Sequence, residues 1–81
     1  MNVRVLFFAT MRERSGIKQA DLEIPEGMLI ADFKAFLIEQ FPKLTQGLAS
    51  AVIAVNREFA FDDQVIPAGA ELAIFPPVSG G

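Results

Sequence analysis

The sequence contains no cysteine and no histidine among its 81 residues. Without them the chain cannot form a disulfide, a thiolate nucleophile, a Ser-His-Asp triad or an ordinary zinc site. We therefore expect no metal site, no intrinsically bound cofactor and no catalytic side chains of its own. The lack of cysteine also fits a reducing compartment, so we place the protein in the cytoplasm.

Positive charge and long apolar runs are also scarce. The formal net charge is −3 and the pI is about 4.7, whereas nucleic acids and anionic membranes favour proteins with clustered Lys and Arg. No apolar run approaches the roughly 20 residues of a membrane-spanning helix. The sequence therefore predicts no nucleic-acid or membrane partner, and it favours another protein as the binding partner.

Apolar residues, in contrast, are abundant. They make up 52% of the chain and include eight phenylalanines but no tyrosine or tryptophan. A chain of this length forms one domain near the lower size limit for folding without a disulfide or a metal. Its core must therefore come from these apolar side chains.

The first half of the chain changes from strand to helix periodicity. Alternation predicts a strand over residues 3–10 with Phe7 facing inward and Phe8 outward, then a turn or short helical excursion and a second strand over residues 18–24. Helical spacing follows, and Pro42 ends the helix because it disfavours helical geometry in the preceding residue. The predicted buried stripe of this helix is Ile30, Phe33, Leu37 and Phe41.

The second half predicts a polar loop over residues 43–47, a strand over 51–55, a tight turn at Asn56 and a short strand over 58–61. A last strand over 71–75 places Phe75 outward. One amphipathic helix among these strands predicts an α+β domain. We expect a ubiquitin-like β-grasp fold, in which a mixed sheet packs on one main helix.

The end of the sequence differs from everything before it. Each proline fixes φ and lacks an N–H donor, so the last strand should stop there, and glycine enters channels too narrow for other residues. We predict a β-grasp domain over residues 1–76 and a flexible, extended C-terminal tail over residues 77–81. The segment singled out is Pro76, Pro77, Val78, Ser79, Gly80 and Gly81.

Three blocks of sequence resemble the small subunit of molybdopterin synthase, a family of ubiquitin-like sulfur carriers. They are the opening VLFFA at residues 5–9, Ala54-Val55-Asn56, and the ending FPPVSGG at residues 75–81. The resemblance implies that a ubiquitin-activating-like adenylyltransferase uses ATP to adenylate Gly81. A sulfur donor protein then converts this terminus into a thiocarboxylate.

The resemblance also implies what the thiocarboxylate does. The large subunit of molybdopterin synthase, in a heterotetramer with this subunit, takes up the tail and transfers its sulfur to a pterin precursor in molybdenum cofactor biosynthesis. The small subunit is then a noncatalytic sulfur carrier. We expect Phe8 and Phe75, which face outward by alternation, to bind the partner proteins, because small exposed apolar patches on a domain usually mark interfaces. The resemblance implies the same role for Phe59, whose position corresponds to a contact residue of the family. Phe61 shares the alternation of Phe59, and either of the two could be buried.

Three other functions remain open at this point. The chain could be a ubiquitin-like protein modifier, in which Gly81 becomes linked to a lysine of a target protein. It could also be the sulfur carrier of thiamine synthesis, or a passive binding module in which the two glycines have no role.

Overall fold

The computed structural model describes residues 1–77, and these form five strands, three α-helices and one short 3-10 helix. In chain order they are β1 (Asn2–Phe7), α1 (Ala9–Ser15), β2 (Gln19–Glu23), α2 (Ile30–Gln40), the 3-10 helix (Pro42–Leu44), α3 (Thr45–Leu48), β3 (Val52–Val55), β4 (Glu58–Ala60) and β5 (Glu71–Phe75).

The five strands form one mixed sheet in the order β2-β1-β5-β3-β4. The first and last strands of the described chain, β1 and β5, pair in parallel, and the other neighbours pair antiparallel. Helix α2 contributes Ile30, Phe33 and Leu37 to the same buried cluster as the strands. This arrangement confirms the predicted α+β fold of the ubiquitin-like β-grasp type, and it puts β5 at the centre of the sheet.

The inner face of the sheet follows the predicted alternation. Val3, Val5 and Phe7 of β1 are buried, as are Leu72 and Ile74 of β5. The register pairs Val5 with Leu72 and Phe7 with Ile74, so the two parallel strands form one layer of the core. Burying such side chains contributes about 1.5–3 kcal/mol each, which is the main stabilising term for a domain without a disulfide.

Helix α2 begins and ends for reasons that can be traced to particular residues. At its start no side chain caps the helix; instead, the backbone N–H groups of Ile30 and Ala31 donate to carbonyls of residues 64 and 62, each at 3.0 Å. At its end Phe41 adopts φ −134° and ψ 81°, which lies outside the helical region that Pro42 disfavours in the preceding residue. The helix therefore ends where the sequence predicted, and Phe41 is partly buried against the core.

The polar loop predicted over residues 43–47 is wrong. This stretch contains the 3-10 helix and α3, and its Leu44 and Leu48 are fully buried. Gln46 and Gly47 inside α3 have non-helical dihedral angles, so the helical pattern is interrupted there. Two leucines four residues apart were the available signal for a buried helical face.

The connection between β1 and β2 is also more regular than predicted. The first strand ends at Phe7, three residues earlier than expected, and α1 follows with Met11 fully buried. Gly16 ends α1 in the left-handed conformation, with φ 81°, which glycine adopts without steric cost. The excursion between the two strands is thus a helix that closes one end of the core.

The turn between β3 and β4 provides a test of local stability. Asn56 has φ 49°, and its side-chain Oδ1 accepts a hydrogen bond from the Glu71 N–H at 2.9 Å. We expect Asn56→Gly to lower the free energy of unfolding by about 1 kcal/mol, since it removes this bond but keeps the backbone geometry. Asn56→Ala should lower it by about 2 kcal/mol, because a Cβ disfavours positive φ.

Urea unfolding of the two variants and the wild-type protein checks this prediction. If the glycine and alanine variants lost the same free energy of unfolding, the positive φ at residue 56 would not destabilise a residue with a Cβ.

Within residues 1–77 the longest helix is α2, whose 11 residues are too few to cross a membrane. The division into a domain over residues 1–76 and a tail over 77–81 stays a prediction. Four of the singled-out tail residues lie outside the described residues: Val78, Ser79, Gly80 and Gly81.

Candidate docking face and tail origin

The parallel pairing of β1 and β5 brings two of the predicted site residues together. Phe8 and Phe75 each follow an inward-facing residue of a paired position, Phe7 and Ile74, so both point to the outer face of the sheet. Their rings stack with centroids 4.7 Å apart and planes 11° from parallel. The Phe8 N–H also donates to the Ile74 carbonyl at 3.1 Å, which fixes the end of β1 beside the end of β5.

A row of apolar residues continues from this aromatic pair across the outer face. The sheet register places Leu6 beside Ala73, Ala73 beside Ala54, and Ala54 beside Phe59. Because the two central positions are alanines, the middle of the row is shallow and has larger side chains at both ends. We define the outer apolar face as Leu6, Phe8, Val52, Ala54, Phe59, Ala73 and Phe75.

The outer apolar face ends where polar residues begin one row further along the sheet. There Arg4 pairs with Glu71 in the register and with Asp21 across β2, and its Nε lies 3.8 Å from the Asp21 carboxylate. The apolar part of the outer face is therefore confined to the half of the sheet where β5 ends. Apolar surface with a polar border is the usual composition of a protein–protein interface.

Phe59 and Phe61 are both strongly exposed, by 76% and 75% respectively. The expectation that either could be buried is wrong, because β4 is an edge strand of three residues and the chain leaves the sheet after Ala60. Phe59 lies within β4 opposite Ala54, whereas Phe61 lies in the following turn, where its N–H bonds to the Gln64 side chain. Of these two phenylalanines, therefore, only Phe59 belongs to the row of apolar residues across the outer face of the sheet.

The predicted tail begins at the centre of this surface. Strand β5 ends at Phe75, directly before Pro76, which is half-buried, and Pro77, which is exposed. A chain that continues from Pro77 therefore starts beside the stacked pair of Phe8 and Phe75. The predicted site residues Phe8, Phe59 and Phe75 lie on one face, next to the origin of the tail.

Sequence reasoning missed the smaller members of the outer apolar face, which are Leu6, Val52, Ala54 and Ala73. Part of their signal was available, because Leu6 shares the alternation of Phe8 and Ala73 shares that of Phe75, whereas Val52 and Ala54 lie in a different strand, β3. What the sequence lacks is the strand order that makes them neighbours.

The described residues contain no cluster of possible metal ligands. Within residues 1–77 no three acidic side chains come close enough to hold a metal ion, and the chain has no histidine or cysteine. No polar or charged residue of this part of the chain is buried. The surface is suited to binding a partner beside the origin of the tail.

These features define a class of protein. A five-stranded mixed sheet on one main helix, with the last described strand at its centre and an exposed apolar outer face, is a ubiquitin-like β-grasp domain. More particularly, the chain belongs to the ThiS family, whose model matches residues 5–81.

Curated relatives agree with this assignment. The chain is 35% identical over 81 residues to the molybdopterin synthase sulfur carrier subunit of Arabidopsis thaliana, covering all of this chain and 84% of that protein. It is also 35% identical to the subunit of the same name from Chlamydomonas reinhardtii, with both chains covered completely.

Solved structures share the fold. SAMP1 from Haloferax volcanii superposes with a TM-score of 0.86 at 26% identity, with both chains fully covered. A putative molybdopterin converting factor, subunit 1, from Pyrococcus furiosus gives a TM-score of 0.84 at 27% identity, over 96% of this chain and 99% of that one. A complex of subunits 1 and 2 of molybdopterin-converting factor from Helicobacter pylori gives 0.68 at 21% identity, with full coverage of both chains, and shows the fold alone.

Proposed function

We propose that this chain is the sulfur carrier subunit of a molybdopterin synthase. The observation that carries the proposal is the position of the sequence FPPVSGG, which starts at the end of the central strand β5 and beside the outer apolar face. A domain whose last described strand leads into the tail beside a docking face suits a carrier that is handed between proteins. Membership of the ThiS family and the names of the curated relatives support the same function.

Loading of the terminus requires activation. A terminal carboxyl has a pKa of about 3.3–3.7 in model peptides, so near neutral pH the Gly81 carboxylate is an anion that does not act as an acyl donor. We propose that its oxygen attacks the α-phosphorus of ATP on an adenylyltransferase and that pyrophosphate leaves. The outer sulfur of a persulfide on a donor protein then attacks the acyl carbon, and AMP leaves with one of the original carboxyl oxygens. A thiol cleaves the S–S bond of the resulting acyl disulfide and forms a disulfide with the sulfur that stays on the donor. The product is a thiocarboxylate on Gly81.

Delivery of the sulfur requires a second protein. The Helicobacter pylori complex contains subunits 1 and 2 of a molybdopterin-converting factor, and we propose a corresponding large subunit for this chain, assembled as a heterotetramer. The large subunit supplies the catalytic side chains that this chain lacks. Within its active site the thiocarboxylate sulfur replaces an oxygen substituent on a carbon of a pterin precursor. Water then cleaves the bond between this sulfur and the acyl carbon, and Gly81 returns to a carboxylate that can be loaded again.

In this proposal the outer apolar face is the surface that both partners bind. Phe8 is 40% exposed and Phe59 is 76% exposed, and both lie on the face from which Pro76 and Pro77 continue. A partner that covers this face also meets the start of the tail. The tail, Pro76 to Gly81, then enters the active site of the partner, where two glycines without side chains fit a narrow channel.

A ubiquitin-like protein modifier is the second candidate. It is favoured by the superposition on SAMP1, since solved proteins of that name are described as small archaeal modifier proteins. A modifier would use the same adenylated Gly81, but the acyl carbon would then react with a lysine amine of a target protein. The sulfur carrier of thiamine synthesis is a related alternative, because the ThiS family model alone does not separate it from the molybdenum pathway.

Intact mass measurement of the protein isolated from its own cells distinguishes these functions. A sulfur carrier is expected to show a second species that is heavier by the difference between sulfur and oxygen, confined to the C-terminal peptide. A modifier is expected to appear in covalent adducts with many unrelated proteins. Absence of both forms, even with the adenylyltransferase, the sulfur donor and ATP present, would contradict any function that loads Gly81.

A further inference from the structure

Two cations lie beside the Phe8–Phe75 stack and are not used by the fold. The Arg12 N–H donates to the Phe8 carbonyl at 3.3 Å, and the Phe7 N–H donates to the Lys18 carbonyl at 2.8 Å, so both backbones are fixed next to the end of β1. Both side chains are exposed. Neither takes part in the three salt bridges or the side-chain hydrogen bonds found within residues 1–77.

The two cations also border a concave part of the surface. A cavity of about 210 Å³ has Phe8, Arg12, Lys18 and Gln19 among its lining residues, and no carboxylate lines it. A neighbouring cavity of about 540 Å³ shares Arg12 and Lys18 and includes Glu13. The smaller cavity thus combines two phenylalanines, Phe7 and Phe8, with two cations that lack an anionic neighbour in its lining.

The local charge at this cavity is positive, whereas the net charge of the whole chain is −3. An exposed guanidinium and an exposed ammonium beside the same cavity attract carboxylates, and Arg in particular binds a carboxylate through two parallel hydrogen bonds. The adjoining Phe8 belongs to the outer apolar face. A partner surface that covers this face and carries acidic side chains at its border therefore complements the cavity in charge.

We propose that Arg12 and Lys18 bind carboxylates of the activating adenylyltransferase, seated in the smaller cavity beside Phe8. The inference rests on the proposed function, because that function requires such a partner. In the proposed cycle the carrier meets and leaves this partner once in every round. Opposite charges at the border of an interface mainly raise the association rate, which suits a complex that must form again in every round of loading.

The test measures association of the full-length protein with the immobilised adenylyltransferase at low and high ionic strength. For Arg12→Glu/Lys18→Glu we expect an association rate about tenfold below wild type at ~0.05 M NaCl. The difference should shrink to less than about twofold at ~0.5 M NaCl, where charges are screened. Lys43→Glu/Arg57→Glu is the matched control, since it makes the same change in net charge at two other exposed cations, and it should lose less than about threefold. Arg12→Lys/Lys18→Arg should keep the wild-type rate.

Each outcome decides the proposal. A salt-sensitive loss confined to the Arg12 and Lys18 reversal supports it. Wild-type association of that variant, an equal loss in the control, or a loss seen only with the large subunit overturns it. Adenylation of wild-type Gly81 is scored separately by pyrophosphate release; if the wild-type protein is not adenylated, the proposed function fails and this inference fails with it.

Discussion

Deletion of Gly81 is expected to abolish molybdenum cofactor synthesis in cells that depend on this protein, while leaving the fold intact. The variant still ends in a glycine carboxylate, that of Gly80, so the chemistry of the terminus is unchanged. Its reach is shorter by about 3.5 Å, the span of one extended residue. Since misplacing a reacting group by 1 Å can cost about a hundredfold in rate, the expected loss is at least that large.

Two further variants distinguish the effect of the length of the tail from the effect of its terminal residues. Addition of one alanine after Gly81 lengthens the tail and places a methyl group in the proposed channel, and it should be as damaging as the deletion. Deletion of Ser79 shortens the tail by the same length as loss of Gly81 but keeps the two glycines. Cofactor content of complemented cells is the readout, and urea unfolding verifies stability. Normal cofactor content with Gly81 deleted would contradict the proposed role of the terminus.

Substitution of Phe59 is expected to give the second large effect. Phe59→Ala should weaken binding to the large subunit by about 30-fold or more, the effect of removing an aromatic hot-spot side chain from an interface. Because Phe59 is 76% exposed, the free energy of unfolding should change by no more than about 0.5 kcal/mol.

Phe61→Ala provides a matched control for this experiment. Phe61 is equally exposed and only two residues away, but it lies outside the sheet row that joins Phe59 to Ala54 and Ala73. We expect its substitution to weaken binding by less than about threefold in the same titration. Equal losses for the two variants would show that the partner does not recognise the outer apolar face as defined by the sheet register.

The sequence predicted most of the inner core because burial follows simple periodicities. Val5 and Leu72 alternate with less buried residues in their strands, and Phe33 and Leu37 lie on one helical stripe. The end of α2 was also predictable, since Pro42 restricts the residue before it. These features are local, so a single sequence contains the whole signal.

The 3-10 helix and α3 were missed because their own sequence gives weak helical signals. Leu44 and Leu48 have helical spacing, but the polar residues around them and the interruption at Gly47 resemble a loop. Gly47 has φ 87°, and Arg14 reaches across to the carbonyl of Gln46. A contact between α1 and this segment therefore helps to hold a stretch whose own sequence gives weak helical signals.

The candidate site depended on pairings that no local pattern contains. Leu6, Ala73, Ala54 and Phe59 come from four strands, and they form one row only because β1 and β5 pair in parallel across almost the whole chain. Periodicity could place each residue on an outer face but could not make them neighbours. The exposure of both Phe59 and Phe61 likewise follows from the edge position of β4, which the sequence does not reveal.

A single-turnover experiment tests most directly whether the terminus receives sulfur with the help of one protein and gives it up to the pterin precursor on another. The thiocarboxylated protein, prepared with the adenylyltransferase, ATP and a sulfur donor, is mixed with the large subunit and the pterin precursor, and its intact mass is followed in time. The account predicts that the mass returns to that of the unmodified chain as sulfur appears in the pterin product. Retention of the sulfur by the carrier, or its replacement by a covalent bond to a lysine of another protein, would contradict the account.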